Sequence, residues 1–219
     1  IDQRSITLSA ADQSKIYGDT LSLASSAFSK TVGTYANSEL ATSASLISTN
    51  SYDSSTTQNV GNYEDDISIS SATGTGGFLE SNYDISYISA DLTINTRPIE
   101  LTAGDQSKIY GDSLNLGSSN FSLTSGSYAN SESVSSVSLS TANSYDSALT
   151  QGVGTYADEI VASSATGSAS GFIPSNYNIT YTSGDLAINR TALSITADDK
   201  SKVYGEAEPV RTVTYNGFK

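Results

Sequence analysis

The 219-residue chain contains no cysteine, histidine, methionine or tryptophan. Without His and Cys, the common ligands of zinc, haem and iron–sulfur centres are missing. So are the thiol nucleophile and the imidazole base. Disulfides are excluded too, so stability has to come from packing and backbone pairing. Positive charge is scarce: ten Lys and Arg against 23 Asp and Glu give a net charge of −13. Nucleic-acid phosphates need clustered cations, so a nucleic-acid partner is not expected, and anionic membrane surfaces are disfavoured on the same ground. No apolar run approaches the ~18 residues of a spanning helix, so no membrane insertion is expected.

Hydroxyls are abundant, with 43 Ser and 24 Thr making up nearly a third of the chain. Fourteen Tyr, five Phe and regularly spaced Ile, Leu and Val are too many for a disordered polymer. Apolar residues alternate with polar ones at Ile6, Leu8 and Ala10, and again at Tyr83, Ile85 and Tyr87. That two-residue period predicts strands. No window carries a capped 3.6-residue stripe, so little helix is expected. The turn Ser89-Ala90-Asp91 before Leu92 and Ile94 reads as a hairpin that closes the unit. The fold class that follows is all-β.

The sequence repeats itself. SKIYGD at Ser14 returns at Ser107, and SKVYGE starts at Ser201. Ile6–Pro98 aligned with Ile99–Ala192 gives 56 identities over 93 positions, which implies tandem duplication. One extra residue enters where ATGTGGF becomes ATGSASGF. The expected organisation is a tail of a preceding repeat at 1–5, repeat domain 1 at 6–98, repeat domain 2 at 99–192 and the truncated start of a third repeat at 193–219. The chain then reads as a piece of a longer array. A 93-residue period exceeds one coil of a solenoid but suits a small domain. Only Asn95–Pro98 separates the last apolar position of repeat 1 from the first of repeat 2, and Pro98 stiffens that link. Tandem small β domains standing end to end as an elongated rod are expected.

Each repeat carries a Tyr-Gly-acid motif: Tyr17-Gly18-Asp19, Tyr110-Gly111-Asp112 and Tyr204-Gly205-Glu206. Its structural reading has Tyr plugging the core, Gly at positive φ and the acid capping the turn. Its functional reading is a ligand corner. Downstream come Val60-Gly61-Asn62-Tyr63 and Val153-Gly154-Thr155-Tyr156, then Asn82-Tyr83-Asp84-Ile85 and Asn176-Tyr177-Asn178-Ile179, then Asp91-Leu92 and Asp185-Leu186. In this order the motifs resemble the MBG/YDG-type repeat domains of large bacterial surface adhesins, which are filamentous-haemagglutinin-like. The resemblance implies β-rich array modules of exported proteins and supplies no catalytic residues.

Three further groups of residues invite chemistry. Glu64-Asp65-Asp66, Asp158-Glu159 and Asp198-Asp199 could hold weakly bound Ca²⁺, but no calcium-loop spacing is present and a solvated acidic face is the better reading. Lys15, Lys108 and Lys202 recur at one position, as an isopeptide cross-link would need and as a solvated Lys beside a turn would also show. Carboxylate pairs could in principle hydrolyse glycosides, but a duplicated active site cut partway through a third copy is not expected. No enzyme activity, no catalytic residues, no cofactor and no metal site are therefore assigned.

The leading expectation is a structural stalk or spacer segment of a secreted or surface-anchored bacterial adhesin, projecting a distal binding domain in cell adhesion or biofilm. Its partners would be neighbouring repeats of the parent chain, with the fragment itself monomeric. The alternative is an adhesive module that binds host or matrix glycans or mucin through Tyr and hydroxyl rows.

Overall fold

A computed structural model describes residues 1–167 and 171–219. The extra residue of the second repeat falls at 168–170 and lies outside the described residues. Strand dominates, and the only helical pieces among the described residues are two 3-10 turns, Glu80–Asn82 and Pro174–Asn176. The all-β expectation therefore holds.

Residues 4–95 hold seven strands: β1 (Arg4–Ala10), β2 (Gln13–Ile16), β3 (Phe28–Val32), β4 (Leu40–Ser48), β5 (Gly61–Thr75), β6 (Tyr83–Ile88) and β7 (Ala90–Asn95). They form a three-stranded sheet in the order β3-β1-β6 and a four-stranded sheet in the order β2-β7-β5-β4. Both sheets are mixed. β1 runs antiparallel to β3 and parallel to β6, while β7 runs parallel to β2 and antiparallel to β5. Ile6 and Leu8 from β1, with Tyr83 from β6, meet Ala41, Ala44, Ile69 and Ala72 from the other sheet, and Phe78 completes this core. A second cluster joins Ile67 to Ala90 and Leu92. Burying one such Ile or Leu stabilises the fold by about 1.5–3 kcal/mol.

The second copy repeats the plan with β8 (Arg97–Ala103), β9 (Gln106–Ile109), β10 (Phe121–Gly126), β11 (Val134–Thr141), β12 (Gly154–Gly167), β13 (Tyr177–Thr182) and β14 (Gly184–Asn189). Its sheets are β10-β8-β13 and β11-β12-β14-β9. Among the described residues, no sheet mixes strands of the two copies. The opening of the third copy is a two-stranded pair, β15 (Ser194–Ala197) with β16 (Val213–Asn216), whose side chains are all exposed. The chain divides into two compact units, one of Ile1–Ile99, Gly126–Val134 and Thr166–Ile179, the other of Glu100–Ser125, Ser135–Ala165 and Thr180–Lys219.

The hairpin expected around Ser89 is not formed. β6 belongs to the three-stranded sheet and β7 to the four-stranded one, so the chain crosses between sheets at Ser89. The buried positions explain the crossing. They are odd-numbered at Tyr83 and even-numbered at Ala90, Leu92 and Ile94. A change of parity lets both strands face the core from opposite layers.

β5 is bent by two irregularities. Tyr63 pairs with Leu92 and Ile67 with Ala90, so Glu64, Asp65 and Asp66 face Asp91 alone. A further residue is inserted between Ser70 and Thr73 opposite β4. Asp65 and Ser71 stand at φ of 53° and 50°, and their counterparts Asp158 and Ser164 at 55° and 49°. Bulges of this kind twist a strand and let it close over the core.

Candidate functional site

The Tyr-Gly-acid corner follows β2. The Asp19 amide donates to the Ile16 carbonyl across a four-residue turn whose third residue is Gly18. Gly18, Gly111 and Gly205 take φ of 88°, 88° and 89°, as expected from the motif. Gly18 is further constrained by space, because a Cβ there would lie 2.4 Å from Ala129 Cβ.

Tyr17 is buried, but not in the core of its own repeat. Its ring packs edge-on against Tyr177, with centroids 5.7 Å apart. Its hydroxyl donates to Glu132 Oε1 at 2.5 Å. The Tyr177 hydroxyl donates to Glu132 Oε2 at 2.7 Å and accepts the Ala129 amide at 3.0 Å. Both segments that receive Tyr17, Gly126–Val134 and Thr166–Ile179, belong to the same compact unit as the corner itself. Asn130 Nδ2 donates to the Thr56 carbonyl at 2.8 Å. Asn176, 1% exposed, accepts the Val60 amide at 3.0 Å and donates to Asn59 Oδ1 at 2.9 Å. Burial, then the Glu132 carboxylate, pushes the Tyr17 and Tyr177 hydroxyls above the usual phenol range. The acid does not cap the turn as expected. Asp19 pairs with Arg97, whose Nε also donates to the Tyr17 carbonyl at 2.8 Å. Tyr110 is half-buried and Tyr204 fully exposed.

The recurring lysine is not a solvated one in the complete copies. Lys15 and Lys108 are 7% and 6% exposed. Lys15 Nζ donates to the carbonyls of Tyr52 and Ser55, the latter at 2.5 Å. Lys108 Nζ donates to those of Tyr145 and Ala148, the latter at 2.7 Å. Each ammonium therefore holds the loop after β4 or β11, and its hydrogen-bond partners are main-chain carbonyls, not the side-chain carboxyl or Asn carboxamide an isopeptide bond would need. Burial lowers the pKa of Lys15, with Asp53 and Asp19 opposing the shift. Lys202 in the third copy lies exposed and pairs with Glu208 at 2.6 Å.

The acidic groups do not gather. Asp66 is 1% exposed and accepts from Ser48 Oγ at 2.5 Å and from the Asn50 amide and side chain at 3.1 and 2.9 Å. Glu159, its counterpart, accepts both Asn143 donors at 2.8 Å. These carboxylates are internal ties and not members of a solvated face. Asp91 and Asp185 accept the amides of the bulged Asp65 and Asp158 at 3.0 and 3.1 Å. Hydrogen bonds from Asn62 and the Asp65 amide hold Asp91 below the usual carboxylate pKa. Among the described residues, no three acidic side chains converge as a metal site would require. The tyrosine of the VGxY motif is half-buried and tied to its own turn. Tyr63 donates to the Asn59 carbonyl and Tyr156 to that of Gly152, both at 2.6 Å.

This is the arrangement of a tandem β-repeat whose motif residues brace its own turns, bulges and loops. The family model of the MBG domain (YGX type) matches residues 6–93, 99–187 and 193–219, and the chain belongs to that family. The search of curated proteins and the search of solved structures each returned no match. Among the described residues, no helix is long and apolar enough to cross a membrane.

Proposed function

We propose that this chain is a structural spacer segment of a secreted or surface-anchored bacterial adhesin, holding a distal binding domain away from the cell. One observation carries the reading. Three pairs of residues that recur between the copies are engaged in the same internal bonds in each: Lys15 and Lys108 on loop carbonyls, Asp91 and Asp185 on bulge amides, Tyr63 and Tyr156 on backbone oxygens. Side chains committed to the fold leave little polar chemistry for a substrate, and a module copied in tandem with its braces intact suits a mechanical part. The net charge of −13 keeps a long array soluble and discourages lateral association. The absence of cysteine prevents disulfide trapping of a chain that crosses an envelope unfolded.

The test is binding of the full 219-residue chain to a panel of immobilised mucin-type and matrix glycans. A spacer gives no saturable signal at chain concentrations up to the millimolar range. A saturable signal, competed by free glycan, would overturn the spacer in favour of an adhesive module.

A further inference from the structure

Repeat 1 carries its own copy of the surface that receives Tyr17. Arg4, Ala36, Asn37, Glu39, Asn82 and Tyr83 stand 93 or 94 positions before Arg97, Ala129, Asn130, Glu132, Asn176 and Tyr177, with the same residue type at all six places. They border an open cleft of ≈ 400 Å³. Half of the hydrogen bonding is already in place there. The Tyr83 hydroxyl donates to Glu39 Oε2 at 2.5 Å and accepts the Ala36 amide at 2.9 Å, as Tyr177 does with Glu132 and Ala129. The difference lies in what covers the surface. Glu132 and Asn176 are 7% and 1% exposed under the Tyr17 corner, whereas Glu39 is half-buried and Asn82 exposed. Glu39 Oε1, the counterpart of the oxygen that takes the Tyr17 hydroxyl, has no hydrogen-bond partner among the described residues. Among the described residues Arg4 donates to Thr34 Oγ1 alone, at 2.8 Å, where Arg97 holds both the Tyr17 carbonyl and Asp19.

We infer that this cleft is a docking socket for the Tyr-Gly-acid corner of another MBG repeat standing ahead of Arg4 in a longer chain. The incoming tyrosine hydroxyl donates to Glu39 Oε1, Asn37 donates to that hydroxyl, and Asn82 turns to the loop that Thr56, Asn59 and Val60 supply at the occupied copy. Arg4 takes the incoming carbonyl and acid. The glycine is required because a Cβ at its position would strike Ala36, as one at Gly18 would strike Ala129. A glycan would find one free carboxylate and two amides there but nothing that selects a phenol ring. The corner fills every one of these positions, and covalent linkage supplies millimolar effective concentration for the docking.

The experiment joins a second copy of residues 6–93 in front of Ile1, which keeps the 93-residue spacing, and follows amide hydrogen exchange by mass spectrometry. Peptides covering 35–41 and 80–85 should slow at least tenfold relative to the 219-residue chain, approaching the protection of 128–134 and 174–179. Glu39→Gln in the lengthened chain should remove most of that slowing. The 219-residue chain supplies an independent arm: Tyr17→Phe should speed exchange at 128–134 at least threefold and leave 35–41 unchanged. Unaltered exchange at 35–41 and 80–85 in the lengthened chain would overturn the socket, as would indifference of 128–134 to Tyr17→Phe. Neither result depends on glycan binding, so failure here is distinguishable from failure of the spacer reading.

Discussion

Lys15 shows how one side chain acquires a role that its neighbours in sequence do not announce. It sits in an edge strand just before a turn, where an ammonium normally reaches water. The loop carbonyls that capture it lie 37 to 40 residues further on, and a spacing that long leaves no local trace. Replacing it with methionine keeps the stem and strips the loop carbonyls of their donor. Lys15→Met should cost roughly 2–3 kcal/mol, as for a buried charge-assisted hydrogen-bond set. Lys202→Met, at the exposed counterpart, should cost about 0.5 kcal/mol or less. Denaturant midpoints of the two variants decide the matter, and equal shifts would mean that the carbonyl cage contributes nothing. Tyr17 illustrates the same difficulty from the other side. Its burial and the positive φ of Gly18 were legible in the motif, but its acceptor Glu132 lies 115 residues away and is visible only in the folded chain.

At the scale of strands, alternation identified β1, β6 and β7 correctly, because half-buried strands carry their period in the sequence. It did not identify their partners. A parity change around Ser89 is compatible with a hairpin turn or with a crossing between layers, and only the pairing of the two strands in different sheets distinguishes them. The Ser- and Thr-rich middle of each copy was least legible. β4 buries Ala41, Ala44 and Ser48, small residues that carry little hydrophobic signal, and its pairing with β5 is broken by two shifts of register. The bulge at Glu64–Asp66 likewise makes an inward Asp66 look like part of a charged run. The strand that ties these pieces together is β7, hydrogen-bonded on both edges to β2 and β5 and carrying a Leu92 side chain that is completely buried. Leu92→Ala should destabilise its repeat by about 2–5 kcal/mol. Leu186→Ala, equally buried in β14, should cost a similar amount. Differential exchange should confine each loss largely to the repeat that carries the substitution.

For the molecule as a whole, pH and force report on different terms. No His titrates between pH 5 and 8, so the melting temperature should be flat across that window. Burial, as the first cause, raises the pKa of Tyr17, Tyr35, Tyr83, Tyr128 and Tyr177 above 10.0, and that of Tyr87 to about 12. The folded chain therefore holds these protons more tightly than the unfolded one. The associated stability is fully present below pH 10 and is lost as pH rises through the folded values. Lys15 opposes this, since its lowered pKa makes the penalty of burying its charge shrink toward pH 10.5, but one lysine stands against six tyrosines. On the acid side Asp91 and Asp198, both held below 3.8 by hydrogen bonds, lose their contribution as pH falls through their folded values. A calorimetric scan should show a plateau with a fall at each end, and an inflection near pH 6.5 would contradict it. Force probes the sheets instead. Because no sheet among the described residues mixes strands of the two complete copies, each should rupture as its own cooperative ladder when the chain is pulled from its ends. One rupture frees about 93 residues, roughly 330 Å at ~3.5 Å per residue. The folded length of a domain of this size, about 40 Å, is subtracted from that. Two events of about 290 Å are expected, with little from the exposed pair β15 and β16. One event of nearly double length would mean that the Tyr17 contact fuses the copies mechanically. A ladder of many small steps would mean a solenoid-like unravelling. In either case the repeats would not act as separate load-bearing elements, and the spacer reading would lose its mechanical basis.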